Sequence, residues 1–183
     1  MKIGMVSDTH GDVKAWKRVE ELLAGCELIL HAGDHLYNGA FNPILPSYNP
    51  LELAGMMNAS TIPILHARGN CDSEVDSLAL TDPIMSPYVF LVWEGMRIVV
   101  THGDAYPDPA GLVAQGKRWG ARLIVRGHTH ESSISYFDGV TLFNPGSCSL
   151  PKGDGVATVG LLGDGELMLV RLADGEVLER SRL

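Results

Sequence analysis

Residues 2–34 read KIGMVSDTHGDVKAWKRVEELLAGCELILHAGD. An apolar run over 2–7 stops at Asp8-Thr9-His10. Val13, Trp16, Val19 and Leu23 then recur at helical spacing behind Asp12, a residue type that caps helix N-termini. A second apolar run, 27–32, stops at Gly33-Asp34. Strand, helix, strand in that order is the unit of a parallel sheet, and it leaves a polar cluster at the end of each strand.

The pattern continues outward. Residues 35–50 hold Pro43, Pro46 and Pro50 and read as a long loop, a kind of segment that often carries function. A helix is expected over 51–59 and a third strand over 61–67, followed by Gly69-Asn70. Runs 88–93 and 96–101 flank the turn Glu94-Gly95, and the second run ends at His102-Gly103. A helix around 109–119 leads to a strand at 121–126, which ends in Gly127-His128-Thr129-His130. Asp-Gly pairs at 138–139, 164–165 and 174–175 each lie between apolar segments and signal hairpins. The expected fold is α/β: a βαβ half, then a mostly antiparallel half. Two mixed sheets packed face to face with helices outside satisfy both, in one domain spanning 1–183.

Composition narrows the function. The chain is 45% hydrophobic and 20% charged, ordinary for a globular protein, and its apolar runs are strand-sized, so no membrane span is expected. Its first ten residues do not read as a signal peptide. Cys26, Cys71 and Cys148 are odd in number and widely spaced, which fits a reducing compartment, and a cytoplasmic location is expected. The formal charge is −8 with no cluster of basic residues, which disfavours long nucleic acid but not a small phosphorylated substrate held by metal ions.

Five polar clusters thus sit at strand ends, and parallel strands bring such ends to one edge, where open α/β sheets bind ligands. The set is Asp8, His10, Asp34, Asn70, His102, His128 and His130. Carboxylate, imidazole and amide oxygen suit Mn, Fe, Zn, Co or Ni. Seven donors exceed the need of one ion and suit two that share a carboxylate; two ions roughly 3.5–4 Å apart can clamp an in-line displacement at phosphorus. Each piece alone is weak. A lone His102 beside an apolar run reads better as a core histidine; GHTH is a stronger signal, since its two histidines at i and i+2 share a face that suits ligation, the alternative being a hydrogen-bonded turn. The ordered set is what carries the inference.

That set resembles the calcineurin-like metallophosphoesterases, whose pattern D-x-H, G-D, G-N-H-D/E, H, G-H-x-H stands here as DTH (8–10), GD (33–34), GNCD (69–72), TH (101–102) and GHTH (127–130). GDHLYNG (33–39), RGNCDSEVD (68–76) and FNPGSCSLPKG (143–153) resemble a closer branch, the small bacterial YfcE-like phosphodiesterases. The resemblance implies a four-layer αββα sandwich and two divalent ions, manganese being the usual activator. It implies one ion at Asp8, His10, Asp34 and His130, the other at Asp34, Asn70, His102 and His128, and assembly into homodimers or homotetramers. The implied reaction is attack of a metal-bridging hydroxide on a small phosphodiester. The same fold also occurs in a retromer subunit that works through protein contacts, and the same metals could serve a phosphomonoesterase or a nuclease.

Cys71 stands where the broad family has a histidine that contacts the phosphate and protonates the leaving group. A neutral thiol, with a pKa of about 8.5 unperturbed, is a weak donor. Cys71 is expected to line the substrate pocket and favour diesters with good leaving groups; the alternative is a small buried residue without a chemical part. Asp72 either takes part by orienting a site residue or caps a turn. His35 and Asn38 either reach a substrate phosphate or are solvated. Residues 144–147, NPGS, read as a structural turn near the site; His31 and His66 read as structural.

Overall fold

The computed structural model describes residues 1–183. Strand β1 (Lys2–Val6) is followed by α1 (Val13–Leu23), β2 (Leu28–His31), α2 (Pro50–Asn58) and β3 (Ile64–His66). A short 3-10 turn, Glu74–Leu78, precedes β4 (Tyr88–Trp93), β5 (Met96–Thr101), α3 (Pro109–Trp119) and β6 (Leu123–Val125). Strands β7 (Ser133–Phe137), β8 (Val140–Asn144), β9 (Thr158–Gly163), β10 (Glu166–Arg171) and β11 (Val177–Arg182) complete the chain. One sheet has the order β11-β10-β9-β1-β2-β3, the other β4-β5-β6-β8-β7.

Strand alternation shows why four layers form. In β5 and β6, Ile98, Val100, Leu123 and Val125 join the core between the sheets, with Ile3, Met5, Leu30 and Phe143. The intervening Val99 and Ile124 face the other way and pack with Leu112 and Val113 of α3. Val6 and Ile29 of the first sheet pack outward on Trp16 and Val19 of α1 and Leu53 of α2. The central strands of each sheet are therefore buried on both faces, with helices outermost. The Asp12 side chain accepts from the Ala15 amide at 2.9 Å, capping α1 as expected. Asp108 caps α3, which ends at Gly120 in the left-handed conformation.

The second half is mostly antiparallel, as expected: β4 with β5, β7 with β8, β9 with β10 and β10 with β11 all pair antiparallel, while β5 pairs parallel with β6 and β6 with β8. The last hairpins join the first sheet, because β9 runs antiparallel to β1 and carries β10 and β11 with it. The third strand is shorter than its apolar run, because Pro63 has no N–H to contribute to a ladder. No helix is long and apolar enough to cross a membrane.

Candidate metal centre

The five polar clusters meet where β1, β2, β3, β5 and β6 end. Parallel pairing of β1 with β2 and of β5 with β6 points these ends the same way, and cross-links staple the turns together. The Asp8 amide donates to Gly33 O at 3.0 Å, the His10 amide to Asp34 O at 3.1 Å, and the His128 amide to Asp8 Oδ2 at 3.2 Å. Gly69 and Gly127 permit this closeness: a Cβ on Gly69 would overlap the Asp34 carboxylate, and one on Gly127 would overlap Ser7 Oγ. Asp8, His10, Asp34, His128 and His130 have φ between 43° and 72°. The other non-glycine residues in that region, Glu94, Asp138 and Asp164, each precede a glycine in a hairpin turn. Left-handed backbone, costing roughly 1–2 kcal/mol per residue, is thus concentrated outside the hairpins at this one site.

All seven predicted donors come together. His10 Nε2 lies 3.2 Å from His130 Nε2, and Asp8 Oδ1 lies 3.3 Å from His130 Nε2 and 3.7 Å from His10 Nε2. Asp34 Oδ2 lies 3.7 Å from His10 Nε2 and 3.4 Å from His102 Nε2, so it stands between two groups of donors. On its far side Asn70 Oδ1 lies 3.1 Å from His102 Nε2 and 2.8 Å from His128 Nδ1. Donor atoms of one ion held at about 2.1 Å stand about 3.0–3.5 Å apart, which these separations approach.

The tautomers support the same reading. His10, His102 and His130 each place Nδ1 2.7–2.8 Å from a backbone carbonyl, that of Tyr37, Ala32 and Leu150 respectively. Nδ1–H donates there, which turns Nε2 toward the centre. The His10 and His130 Nε2 atoms, 3.2 Å apart, repel unless a proton or a metal cation lies between them. Asp8 Oδ1, buried beside them, has no hydrogen-bond partner. These residues fit a divalent metal pair. Burial alone would raise the Asp8 carboxyl, but the imidazoles of His10 and His130 facing it, and the charge of His102, hold it well below the usual range. Burial pushes His102 down; the bond to Asp34 and the charges of Asp8 and Asp34 outweigh it and raise the imidazole to about 9.

Other expected site residues are placed differently. His35 is a correction: it is buried, its Nδ1 lies 2.8 Å from Asp72 Oδ2, its Nε2 lies 2.9 Å from His66 Nδ1, and its ring stacks on His31. Both ring nitrogens are engaged, so it cannot reach a substrate. Asn38 is also buried and exchanges hydrogen bonds with Asn42, which takes the place at the cleft that Asn38 was expected to hold. Asp72 is buried and positions rather than reacts: it accepts from the amides of Asp34 at 2.9 Å, His35 at 2.7 Å and Gly69 at 2.7 Å. Cys71 does line the cleft, its amide donating to Asp34 Oδ1 at 2.8 Å. Its sulfur falls within 4.8 Å of donor atoms of His10 and Asp34. Burial and the charge of Asp34 push the thiol up to about 12, so without metal it is neutral. The 144–147 turn braces the site as expected: Asn144 Nδ2 donates to Gly127 O and Ser147 Oγ to Asp8 O. Tyr37, Phe41, Tyr48 and Lys152, which also line the cleft, carried no sequence signal, because loop residues have no periodicity to betray them.

Beneath the centre, His31 and His66 are buried and neutral. Burial, then the charge of His35, holds His66 down at about 3; burial and both neighbouring histidines hold His31 well below its usual 6.5. The Gly33 amide donates to His31 Nδ1, and His31 Nε2 lies 3.1 Å from Thr9 Oγ1, which the neutral ring satisfies. Both groups bind a proton near pH 6.5 when unfolded and resist it when folded. For His66 that stabilisation is complete above pH 6.5 and falls on acidification toward 3, by about 1.4 kcal/mol per pH unit, and His31 adds a loss of the same sign. His102, raised rather than lowered, contributes fully below 6.5 and does not mask this loss. Urea unfolding in chelator at about pH 6.5 and about pH 5 is expected to show a clear fall in midpoint; equal midpoints would contradict neutral burial of the pair.

Comparisons with known proteins agree with this geometry. The family model for the calcineurin-like phosphoesterase superfamily domain matches residues 1–163. The phosphodiesterase YfcE of Escherichia coli K12 is 35% identical over 180 residues, covering 97% of this chain and 96% of that one. The solved structure of the E. coli phosphoesterase YfcE superposes with a TM-score of 0.88 at 31% identity, covering 100% of this chain and 99% of the other. Vacuolar protein sorting 29 of Cryptosporidium parvum shares the fold, with a TM-score of 0.72 at 20% identity and coverage of 100% and 97%.

Proposed function

The chain belongs to the calcineurin-like phosphoesterase superfamily, and on that premise we propose that it is a phosphodiesterase that holds two divalent ions, manganese first among them, and hydrolyses small phosphodiesters. The observation that carries this reading is the cluster of outward-facing lone pairs on His10 and His130 around the unpartnered Asp8 Oδ1. One ion would be held by Asp8, His10, Asp34 and His130, the other by Asp34, Asn70, His102 and His128. Bound there, divalent ions supply Lewis acidity toward phosphoryl oxygens and make hydroxide available near neutral pH.

The chain's own residues fix the rest. Backbone carbonyls hold three imidazoles with Nε2 toward the centre, so loading needs no ring rotation, only loss of the proton that His102 carries without metal. Asp72 fixes the backbone of Asp34 from below. Cys71 lies beside Asp34 where a departing alcohol would need a proton, and as a neutral thiol it gives little. The centre therefore acts best on esters whose alcohols leave unaided.

The retromer-like alternative asks nothing of the metal donors, whereas here all seven are present and converge. The acidic surface charge disfavours a nuclease acting on long duplexes. The three unpaired cysteines fit a cytoplasmic setting. Assembly into a dimer or tetramer belongs to the same reading, and light scattering tests it.

Chelator-stripped protein is expected to be inactive on bis(p-nitrophenyl) phosphate and to regain turnover with manganese; no turnover with manganese, nickel, cobalt or zinc would sink the proposal. Cys71→His, which restores an acid of suitable pKa, is expected to raise turnover of alkyl diesters by ~10-fold relative to p-nitrophenyl diesters, less than the roughly 10²–10⁴-fold of a general acid fully positioned by its site. An unchanged preference between the two substrate types would count against a leaving-group role for this position.

A further inference from the structure

The metal donors form only the floor of a larger cleft. A cavity of about 750 Å³ opens over Asp34, Asn70, His128 and His130. That is far more space than a phosphoryl group needs; sites of roughly 300–1,000 Å³ enclose whole drug-sized ligands. The 36–50 loop contributes Tyr37, Phe41 and Tyr48 to its lining, and Cys71 and Val75 line it as well. Phe41 is fully exposed and Tyr37 half exposed, so two aromatic rings stand in water beside a polar centre.

The aromatic wall is tied to the metal turn. The Tyr37 carbonyl is the group bonded to His10 Nδ1, at 2.8 Å. The Tyr48 ring covers Gly11 so closely that a Cβ there would overlap it, and the Asn49 amide donates to Gly11 O at 2.8 Å. Asn38 and Asn42 exchange hydrogen bonds across the loop tip that carries Phe41. The loop backbone that carries the rings is therefore tied to the metal-donor turn rather than forming a free flap. Among the lining residues Lys152 is the one fixed cation, and the Asp76 carboxylate is turned to the Ser73 amide at 2.8 Å.

We propose that this cleft receives one ester arm of the substrate and selects a planar arm of aromatic or nucleobase size over a small alkyl one. The inference rests on the metal-centred phosphodiesterase reading and deepens it to a substrate class. Aryl and alkyl phosphonates, which cannot be hydrolysed at their C–P bond, separate binding from turnover. Calorimetry on manganese-loaded protein is expected to find phenylphosphonate bound about tenfold more tightly than methylphosphonate, the scale of one good aromatic contact. Phe41→Ala combined with Tyr37→Ala is expected to shrink that ratio to about two. Phe41 is fully exposed, so its loss does not threaten folding. Equal affinities in the unmodified protein, or a ratio that survives both substitutions, would overturn the inference while diester turnover left the metal-centred reading standing. If neither phosphonate bound the loaded protein, that reading and the inference would fall together.

Discussion

Asp34→Asn is expected to lower manganese-dependent diester hydrolysis by at least roughly 10³-fold, because a shared charged ligand contributes several kcal/mol to the metals' work. Asn matches the shape of Asp34, so the effect isolates charge and donor pattern. Asp34 Oδ1 accepts from the Cys71 amide at 2.8 Å, and this fixes which end of the new amide can sit there. The carbonyl oxygen must take that place, which turns the NH2 toward His10 and His102, whose nitrogens lie 3.7 and 3.4 Å from Oδ2. A donor then occupies the position where the two proposed ions would share an anion. The chelated variant should unfold at a somewhat lower temperature than the unmodified protein, since buried His102 loses the Asp34 charge that holds its pKa up. The rise in Tm on adding manganese should largely vanish. Turnover within tenfold of the unmodified protein would contradict the bridging role.

The largest stability effect is expected at Asp72. Its carboxylate is buried and accepts from three amides, those of Asp34, His35 and Gly69, and from His35 Nδ1. Burial alone would raise its pKa, yet the charge and bonds of His35 and the amides hold it well below the usual range. Asp72→Ala leaves four donors without a partner in the interior and is expected to cost roughly 3–5 kcal/mol in urea unfolding with chelator present. Asp72→Asn keeps one acceptor oxygen and should cost about half as much. Because two of the freed amides hold Asp34 and Gly69, manganese affinity should also fall, by roughly 10–100-fold in the milder variant. A cost below about 1 kcal/mol for the alanine variant would mean that water satisfies these donors and that Asp72 does not organise the site.

The residues that betray the site in the sequence are those that interrupt strong apolar runs. Asp8, Asp34, Asn70, His102 and His128 stand out because each follows a strand that must be buried on both faces, so a polar residue there marks the end of the strand. Their convergence could be argued from parallel topology alone. What stayed hidden depends on contacts distant in sequence. His35 looks like a loop residue until Asp72, 37 positions away, and His66 take its ring nitrogens. Asp-Gly turns locate the β9–β10 and β10–β11 hairpins, but a local turn signal does not say which sheet a hairpin will join; β9 pairs with β1 across almost the whole chain. The aromatic wall was equally hidden, since Tyr37 and Phe41 acquire meaning only once the loop is fastened to His10 and Gly11.

The central claim is that seven side chains hold two ions that act together on a phosphodiester. It is tested most directly by titrating manganese into chelator-stripped protein while following both bound metal and hydrolysis of bis(p-nitrophenyl) phosphate. The account predicts that binding saturates at two ions per chain and that turnover reaches its plateau only with the second. Saturation at one ion with full turnover, or two ions bound without turnover, would contradict it.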